Sequence, residues 1–245
     1  MWLKALSRDR LLRKQPHNMT RVDVINYLLQ GRHQATYLEI GVRRGDCFCE
    51  IRARRKFAVD PVFQIKRWRY WGLKNILSAS YFECTSDNFF NKRIDSTQVS
   101  EFDVIFLDGL HTYEQSFKDV QNSLRYLKHN GWIVLHDCNP PNATAALPAE
   151  SYKDALERFD LSPSKGAWNG EVWKTVVRLR SEEANLRIFV LDCDEGLALI
   201  QRGTPESRLS YTPGDISLMS YRDLDRRRRE LLDLRSPGHL YTLEP

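Results

Sequence analysis

The stretch from residue 36 to residue 137 alternates five times between a short apolar segment and a longer segment with helical spacing. The apolar segments are TYLEIG, KFAVD, SYFEC, FDVIFLD and WIVLHD. They lack the regular polar and apolar alternation of strands that expose one face to water. Strands buried on both faces belong to parallel sheets that helices cover on both sides. The sequence therefore predicts an α/β fold built on an open, mostly parallel sheet.

Helices are predicted from the spacing of apolar residues and from residues that start or stop a helix. The first helix has Thr20 as its N-cap and Gly31 as its stop, and Gly131 is predicted to end a long helix that precedes the fifth strand. The predicted helices cover residues 20–31, 47–55, 64–77, 113–131, 150–159, 171–184 and 220–236.

The chain divides into three predicted parts. Residues 1–35 form an N-terminal helical segment, residues 36–202 form the sheet domain, and residues 203–245 form a C-terminal helical extension. Within the domain, residues from about 138 to 170 are rich in Pro, Ala and Ser and are too long for an ordinary connection, so they predict a lid-like insertion. The stretches LRIFVLD and GLALIQR predict a closing hairpin.

Composition narrows the function classes. The net charge of +5 comes from 37 Lys and Arg against 32 Asp and Glu, and short basic runs of this kind are typical of solvated surfaces, so no nucleic-acid partner is expected. The five cysteines include no C-x-x-C pair, which favours reduced thiols over a zinc site or disulfides. No apolar run reaches the ~20 residues of a membrane helix. We expect a soluble, cytoplasmic protein without membrane insertion.

The first strand ends in a glycine turn. Gly41 and Gly45 allow a ligand to approach the backbone, but Arg43 stands where a dinucleotide-binding G-x-G-x-x-G motif has its second glycine. Asp60 ends the second strand, where a carboxylate can bind both hydroxyls of a ribose. This pattern favours a nucleoside cofactor without a pyrophosphate, and the alternative is an ordinary tight turn.

Acidic and imidazole side chains follow the fourth and fifth strands. Asp108 and His111 come after the fourth, and His136 and Asp137 come after the fifth. Neighbouring strands lie ~4.8 Å apart, so two carboxylates at adjacent tips can share one cation. The alternative is that the aspartates only cap the segments that follow.

These stretches together resemble class I S-adenosylmethionine-dependent methyltransferases, and more narrowly the branch that includes macrolide-sugar O-methyltransferases. The matching stretches are YLEIGVRRG, FAVDP, FDVIFLDGLHTYEQSFKDV and NGWIVLHDC. The resemblance implies a Rossmann-like, doubly wound sheet of seven strands with the last one antiparallel. It implies S-adenosylmethionine as the cofactor. The cofactor-binding residues that it implies are Glu39, Gly41 and Gly45 at the methionine end, Asp60 at the ribose, and Ser86 and Asp87 near the adenine.

The same resemblance implies a divalent cation on Asp108 and on the pair after the fifth strand, which here is His136 and Asp137. His111 is implied as the catalytic base, with Asp108 beside it. Because an imidazole replaces one carboxylate of the pair, manganese, iron or zinc become as plausible as magnesium, and a site without metal is also left open.

Three functions are compatible with the sequence. The first is O-methylation of a sugar, a glycan or another hydroxyl-bearing small molecule, and a homo-oligomer is left open. The second is a different enzyme on the same sheet, such as an NAD-dependent dehydrogenase, which the missing pyrophosphate motif disfavours. The third is a non-catalytic protein that binds the nucleoside cofactor.

Overall fold

A computed structural model describes residues 19–66, 78–159 and 168–243. In these ranges the strands form a single eight-stranded sheet in the order β3-β2-β1-β4-β5-β7-β6-β8. The strands are β1 (Thr36–Ile40), β2 (Arg55–Asp60), β3 (Ala79–Glu83), β4 (Phe102–Leu107), β5 (Leu127–Leu135), β6 (Leu186–Leu191), β7 (Leu197–Arg202) and β8 (Leu234–Arg235).

The sheet confirms the predicted fold class. Strands β1 to β5 pair in parallel, and β7 runs antiparallel to both β5 and β6. Every residue of β1 and of β4 is buried, as strands covered on both faces require. The described ranges contain one strand more than the seven predicted, because the two-residue β8 adds to the outer edge of β6 by pairing Val190 with Leu234.

The helices lie on both faces of the sheet. They are α1 (Arg21–Leu28), α2 (Tyr113–Leu124), α3 (Tyr152–Phe159), α4 (Val172–Glu182), α5 (Pro213–Leu218) and α6 (Tyr221–Leu232). Short helical turns occur at Phe48–Glu50, Ser86–Asn88, Phe89–Arg93, Ile94–Thr97 and Pro237–Thr242. Thr20 caps α1 as predicted, because its side chain accepts a hydrogen bond from the Asp23 backbone while the Asp23 carboxylate bonds back.

Two buried clusters flank the sheet. Val120 of α2 and Val176 of α4 belong to the cluster on one face, and Ile25 of α1 belongs to the cluster on the other. The residues described include no helix long and apolar enough to cross a membrane. The division of the chain into three parts stays a prediction, and residues 1–18 of its first part lie outside the described ranges.

The helix predicted for residues 47–55 is wrong. Only Phe48–Glu50 form a helical turn, and the backbone is extended at Ile51. Pairing between β1 and β2 begins at Arg55, so the chain must be extended before that residue. Phe48 and Ile51 have helical spacing because both reach the core from this one turn. Most of the helix predicted at 64–77 falls at 67–77, outside the described ranges.

The helix predicted for residues 113–131 is too long. It ends at Leu124, and β5 already begins at Leu127, where it pairs with Phe102 of β4. Gly131 lies inside β5 and is not a helix stop. A Cβ atom there would lie 3.0 Å from the backbone oxygen of Phe102, so glycine permits the close approach of the two strands at an irregularity in their register.

Candidate active site

The carboxyl ends of β1 and β4 are in direct backbone contact. Gly41 follows β1 with φ +87°, and a Cβ atom there would lie 1.9 Å from the backbone oxygen of Asp108. The Asp108 amide also donates a hydrogen bond to Ile40. Glycine is therefore required at residue 41 by conformation and by space, and the turn after β1 is held against the Asp108 backbone.

Asp60 organises the turns that follow β1 and β2. This buried carboxylate accepts hydrogen bonds from the Arg43 amide at 2.7 Å and from the Val62 amide at 2.8 Å, one on each oxygen. Arg43 has φ +45°, a left-handed conformation that this hydrogen bond helps to hold. Each carboxylate oxygen keeps a free lone pair, so Asp60 can accept further hydrogen bonds at the sheet edge.

Glu39 is turned into the protein interior. It is 1% exposed, and its Oε2 accepts a 2.5 Å hydrogen bond from the hydroxyl of Tyr37. Burial raises the pKa of Glu39 to about 8, because the charged form loses its hydration. Glu39 is therefore mostly neutral at pH 7 and lies on the side of β1 that carries Tyr37.

Ser86 and Asp87 are joined to helix α2 by a side chain that the sequence patterns did not identify. The Gln115 amide nitrogen lies 3.2 Å from Ser86 Oγ, 3.4 Å from Asp87 Oδ1 and 3.0 Å from Asp119 Oδ1. Asp119 is buried, and burial raises its pKa to about 6. The four-residue spacing of Gln115 and Asp119 on a helix was the available signal for this pair.

Asp108, His111 and Asp137 converge at the tips of β4 and β5. His111 Nε2 lies 3.4 Å from Asp108 Oδ1 and 3.1 Å from Asp137 Oδ2. One ligand atom from each of these three side chains lies within 4.8 Å of the others. Asp137 has φ +61°, which turns its carboxylate towards the neighbouring tip at a cost in backbone strain.

His136 lies behind the same two carboxylates. Its Nδ1 is 3.2 Å from Asp108 Oδ1 and 2.9 Å from Asp137 Oδ2, and its ring is 3% exposed. The group whose ligand atoms cluster within 4.8 Å contains His111 in place of His136. The structure thus brings together all four predicted residues, and their division into ligands and base stays a prediction.

The two carboxylates of the cluster favour the protonated forms of both histidines. Burial disfavours a charged His111, but the charge of Asp137 and the hydrogen bond to Asp108 outweigh it and raise its pKa to about 9. Burial also opposes charge on His136, and the same two carboxylates raise its pKa well above the ordinary value. His111 Nδ1 donates a 2.7 Å hydrogen bond to the Trp168 carbonyl, which leaves Nε2 as the atom that faces the carboxylates.

Arg21 and Asp194 also contact the cluster, although neither residue belongs to a sequence motif. The Arg21 guanidinium lies 2.9 Å from Asp108 Oδ2 and 2.8 Å from Asp194 Oδ1, and the Arg21 amide donates to Asp194 Oδ2. The pKa of Asp194 is held far below its ordinary value against the opposing effect of burial, because His136 Nε2 lies 3.7 Å from it and Arg21 hydrogen-bonds both of its oxygens. No motif marked either residue.

The end of the predicted insertion also reaches the cluster. Asn169 is fully buried and its amide nitrogen donates to Asp137 Oδ1 at 2.5 Å and to Glu195 Oε2 at 3.1 Å. Gly170 has φ +59°, and a Cβ atom there would lie 2.1 Å from the His111 backbone oxygen. Burial raises the pKa of Glu195 to about 7, and the contact with Asp137 adds to the effect.

Sequence comparison identifies the segment that builds this edge of the sheet. Residues 38–138 match the family model described as a methyltransferase domain. The matched segment is similar to a methyltransferase domain. It contains the turn after β1, Asp60, and the tips of β4 and β5. No curated protein sequence matches the chain.

Solved structures of low identity share the fold. A Klebsiella pneumoniae protein, assigned provisionally as an O-methyltransferase, is 14% identical, aligns over 81% of this chain and 87% of its own, and gives a TM-score of 0.51. A Podospora anserina methyltransferase solved with S-adenosylhomocysteine is 15% identical over 81% of this chain and 86% of its own, with a TM-score of 0.50. At this identity the similarity shows a shared fold, and the match of residues 38–138 to a methyltransferase domain is what points to methyl transfer.

The narrower resemblance has weaker support. MycE, a methyltransferase from the mycinamycin biosynthetic pathway solved with Mg and S-adenosylhomocysteine, is 16% identical over 74% of this chain and 47% of its own, with a TM-score of 0.44. That similarity is too low to assign a branch. The resemblance to macrolide-sugar O-methyltransferases stays a prediction, as does a cytoplasmic location.

Proposed function

We propose that this chain transfers a methyl group from S-adenosylmethionine to a hydroxyl oxygen of a small molecule, with sugars as the favoured acceptors. The observation that carries the proposal is the convergence of Asp108, His111 and Asp137 beside the glycine turn of a matched methyltransferase domain. An acceptor hydroxyl is a poor nucleophile until it loses its proton, and this cluster offers groups that can assist that loss.

The cofactor is proposed to lie along the tips of β1, β2 and β3. Its methionine end would lie at the turn of Gly41 and Gly45, and its ribose hydroxyls would bind the free lone pairs of Asp60. Its adenine would lie near Ser86 and Asp87, the pair held by Gln115. The contact of Gly41 with the Asp108 backbone supports this arrangement, because it brings the methionine end close to the carboxylate cluster. Glu39 faces the protein interior and is mostly neutral, so it would stabilise the turn after β1 from the interior side.

A divalent cation fits the donor atoms at the cluster. Two carboxylate oxygens and one imidazole nitrogen within 4.8 Å are a set that suits manganese, iron or zinc, and magnesium less well. Arg21 contacts Asp108 Oδ2, and the two histidines contact Oδ1, so a cation at Oδ1 would have to displace the proton of at least one imidazole. A cation would supply a charge that lowers the pKa of an acceptor hydroxyl. Binding requires loss of the His111 Nε2 proton, so metal affinity is expected to rise as the pH approaches 9.

The residues of the chain would divide the remaining work. Asp108 and Asp137 orient the donor set, Asn169 fixes the second oxygen of Asp137, and Arg21 fixes that of Asp108. His111 accepts the acceptor proton only when its Nε2 has lost its own proton and binds no cation, so its roles as base and as ligand are alternatives. In that role its removal would reduce the rate by about 10²–10⁴, and by little if it only braces the turn after β4.

The test begins with isothermal titration of S-adenosylmethionine, S-adenosylhomocysteine and NAD. We expect binding of the first two, and a loss of affinity in Asp60→Asn that Asp95→Asn, at an exposed residue of the helical turn Ile94–Thr97, does not show. Binding of NAD instead would contradict the proposal. Methyl transfer to a panel of sugars and other alcohols is then measured after exhaustive chelation and after adding back single metals. Undiminished activity after chelation would remove the metal from the proposal, and cofactor binding without transfer to any acceptor would favour a non-catalytic protein.

A further inference from the structure

Gln115 connects two elements that follow different strands of the sheet. It lies in the first turn of helix α2, which follows β4, and it contacts the helical turn Ser86–Asn88, which follows β3. In the sheet, β2 and β1 lie between these two strands. The contact therefore spans the tips that carry Asp60 and Gly41. A nucleoside whose ribose binds Asp60 would lie beside Gln115.

The hydrogen bonds of the Gln115 side chain fix the direction of its amide. Its nitrogen lies 3.2 Å from Ser86 Oγ, 3.4 Å from Asp87 Oδ1 and 3.0 Å from Asp119 Oδ1. Two of these atoms are carboxylate oxygens, which only accept hydrogen bonds when they are ionised. Burial raises the pKa of Asp119 to about 6, so this carboxyl is mostly ionised above that pH. The nitrogen of the amide must therefore face these oxygens, and its oxygen Oε1 must face away from them.

Gln115 Oε1 is an acceptor without a donor. Among the residues that the structure describes, none donates a hydrogen bond to this atom, although the nitrogen of the same amide has three acceptors. The side chain is only partly buried, so a ligand can approach it. An amide oxygen has two lone pairs, and here their direction is set by the contacts of the nitrogen.

The neighbouring carboxylates are less suited to accept a hydrogen bond from a ligand. Asp87 Oδ2 lies 2.6 Å from Lys118 Nζ, one turn along α2 from Gln115, and Asp87 Oδ1 faces the Gln115 nitrogen. Asp119 is only 3% exposed, so a ligand cannot reach it. Gln115 Oε1 is therefore the acceptor of this group that combines access with the absence of a donor.

An acceptor of fixed direction distinguishes purine bases by the group on carbon 6. Adenine carries an amino group there, which donates hydrogen bonds, whereas hypoxanthine carries a carbonyl oxygen, which only accepts them. A site that hydrogen-bonds a ligand N–H discriminates against an analogue that lacks it, because its own polar group is then left unpaired. With hypoxanthine, two acceptor oxygens would face each other at Gln115.

We propose that Gln115 Oε1 accepts a hydrogen bond from the amino group of the cofactor's adenine and thereby selects adenine over purines with a carbonyl at carbon 6. The proposal rests on the proposed function for the presence of a nucleoside beside Asp60. The base preference itself is a ratio of two affinities and is measured without turnover.

The experiment titrates the chain at about pH 7.5 with S-adenosylhomocysteine and with S-inosylhomocysteine, which differ only in the group on carbon 6 of the base. We expect S-adenosylhomocysteine to bind at least about tenfold more tightly. Gln115→Met keeps the length of the side chain without an amide, and it should bring the ratio of the two affinities close to one. Gln115→Lys keeps a donor for Asp87 and Asp119 but has no acceptor, and it should lose the preference as well.

Gln121→Met is the matched control. Gln121 lies on the same helix, but its amide nitrogen bonds Glu183 Oε1 at 3.1 Å, so the variant should keep the full preference. Thermal melts report the folding of each variant. A residue that only braces the turn Ser86–Asn88 would behave differently, because Gln115→Met would then weaken both ligands equally and leave the ratio of affinities unchanged.

The outcomes separate this inference from the proposed methyl transfer. Equal binding of the two ligands to the parent chain, or a ratio that survives in both Gln115 variants, would overturn the role of Gln115 and leave the proposed function standing. A preference that depends on Gln115, together with no methyl transfer to any acceptor, would keep the inference and remove the proposed reaction. Absence of binding of either ligand to the parent chain would overturn both.

Discussion

Glu39→Gln should remove a large pH dependence of stability. Burial raises the pKa of Glu39 from 4.5 to about 8, so the folded chain keeps a proton that the unfolded chain loses between these values. The free energy of unfolding therefore falls as the pH rises from about 4.5 to 8, and it stays low above that. At about 1.4 kcal/mol per pKa unit the full loss is about 5 kcal/mol. Glutamine offers Tyr37 the same acceptor, so the variant keeps the hydrogen bond and avoids the ionisation.

Urea unfolding at pH 5, 7 and 9 measures this effect. We expect Glu39→Gln to match the parent chain at pH 5 and to exceed it by about 2–5 kcal/mol at pH 9, which is a rise in melting temperature of about 2–4 °C for each kcal/mol. Glu101→Gln, at an exposed carboxylate before β4, is the control and should leave the pH profile unchanged. Parallel profiles for Glu39→Gln and the parent chain would refute the reasoning, because they would mean that Glu39 ionises in the folded state as readily as in the unfolded one.

Three further predictions concern backbone, charge and surface. Gly41→Ala should lower the free energy of unfolding by about 3 kcal/mol or more, because its Cβ would overlap the Asp108 carbonyl. A Cβ at Gly214 would make only an ordinary contact with the Thr212 side chain at 3.7 Å, so Gly214→Ala should change stability little, and equal effects in denaturant titrations would contradict this. Arg21→Met should cost about 2 kcal/mol in the same assay, since it leaves Asp108 and Asp194 without their shared cation, and a neutral result would show that the bridge contributes nothing. The arginine-rich helix α6 should give no tight, salt-sensitive binding to random duplex or single-stranded oligonucleotides in fluorescence anisotropy, and such binding would overturn the surface-helix interpretation.

The sheet could be predicted because strands that are buried on both faces consist of nearly continuous runs of apolar residues. β4, from Phe102 to Leu107, is apolar at every position but Asp103, and the structure accounts for that exception. Asp103 accepts hydrogen bonds from the backbone and hydroxyl of Thr36 and lies 2.8 Å from Lys128. The strand tips followed from the same signal, since the polar residues after each parallel strand must meet at one edge.

The ends of helices and strands were less predictable where local helix preference competes with strand pairing. Residues 125–131 follow a strong amphipathic helix and end in glycine, which is the usual signature of a helix stop. Pairing with β4 overrides that local preference, because Leu127 gains strand hydrogen bonds and a buried side chain opposite Phe102. Local patterns carry no information about which strand lies alongside, so β5 was predicted too short and α2 too long.

The residues that join the cluster to its surroundings could not be predicted at all, for a physical reason. Arg21 and Asp194 are 173 positions apart and meet only because β7 turns back beside β5 and because α1 packs below the sheet. Taken alone, an Arg at the start of a helix and an Asp in a hairpin turn are ordinary solvated residues. Folding places them where burial strengthens each charge interaction, with Arg21 on one oxygen of Asp108 and the two histidines on the other. The strand tips could therefore be predicted from the motifs. The charge balance that decides whether Asp108 also binds a metal cation depends in part on Arg21 and Asp194, which lie in no motif.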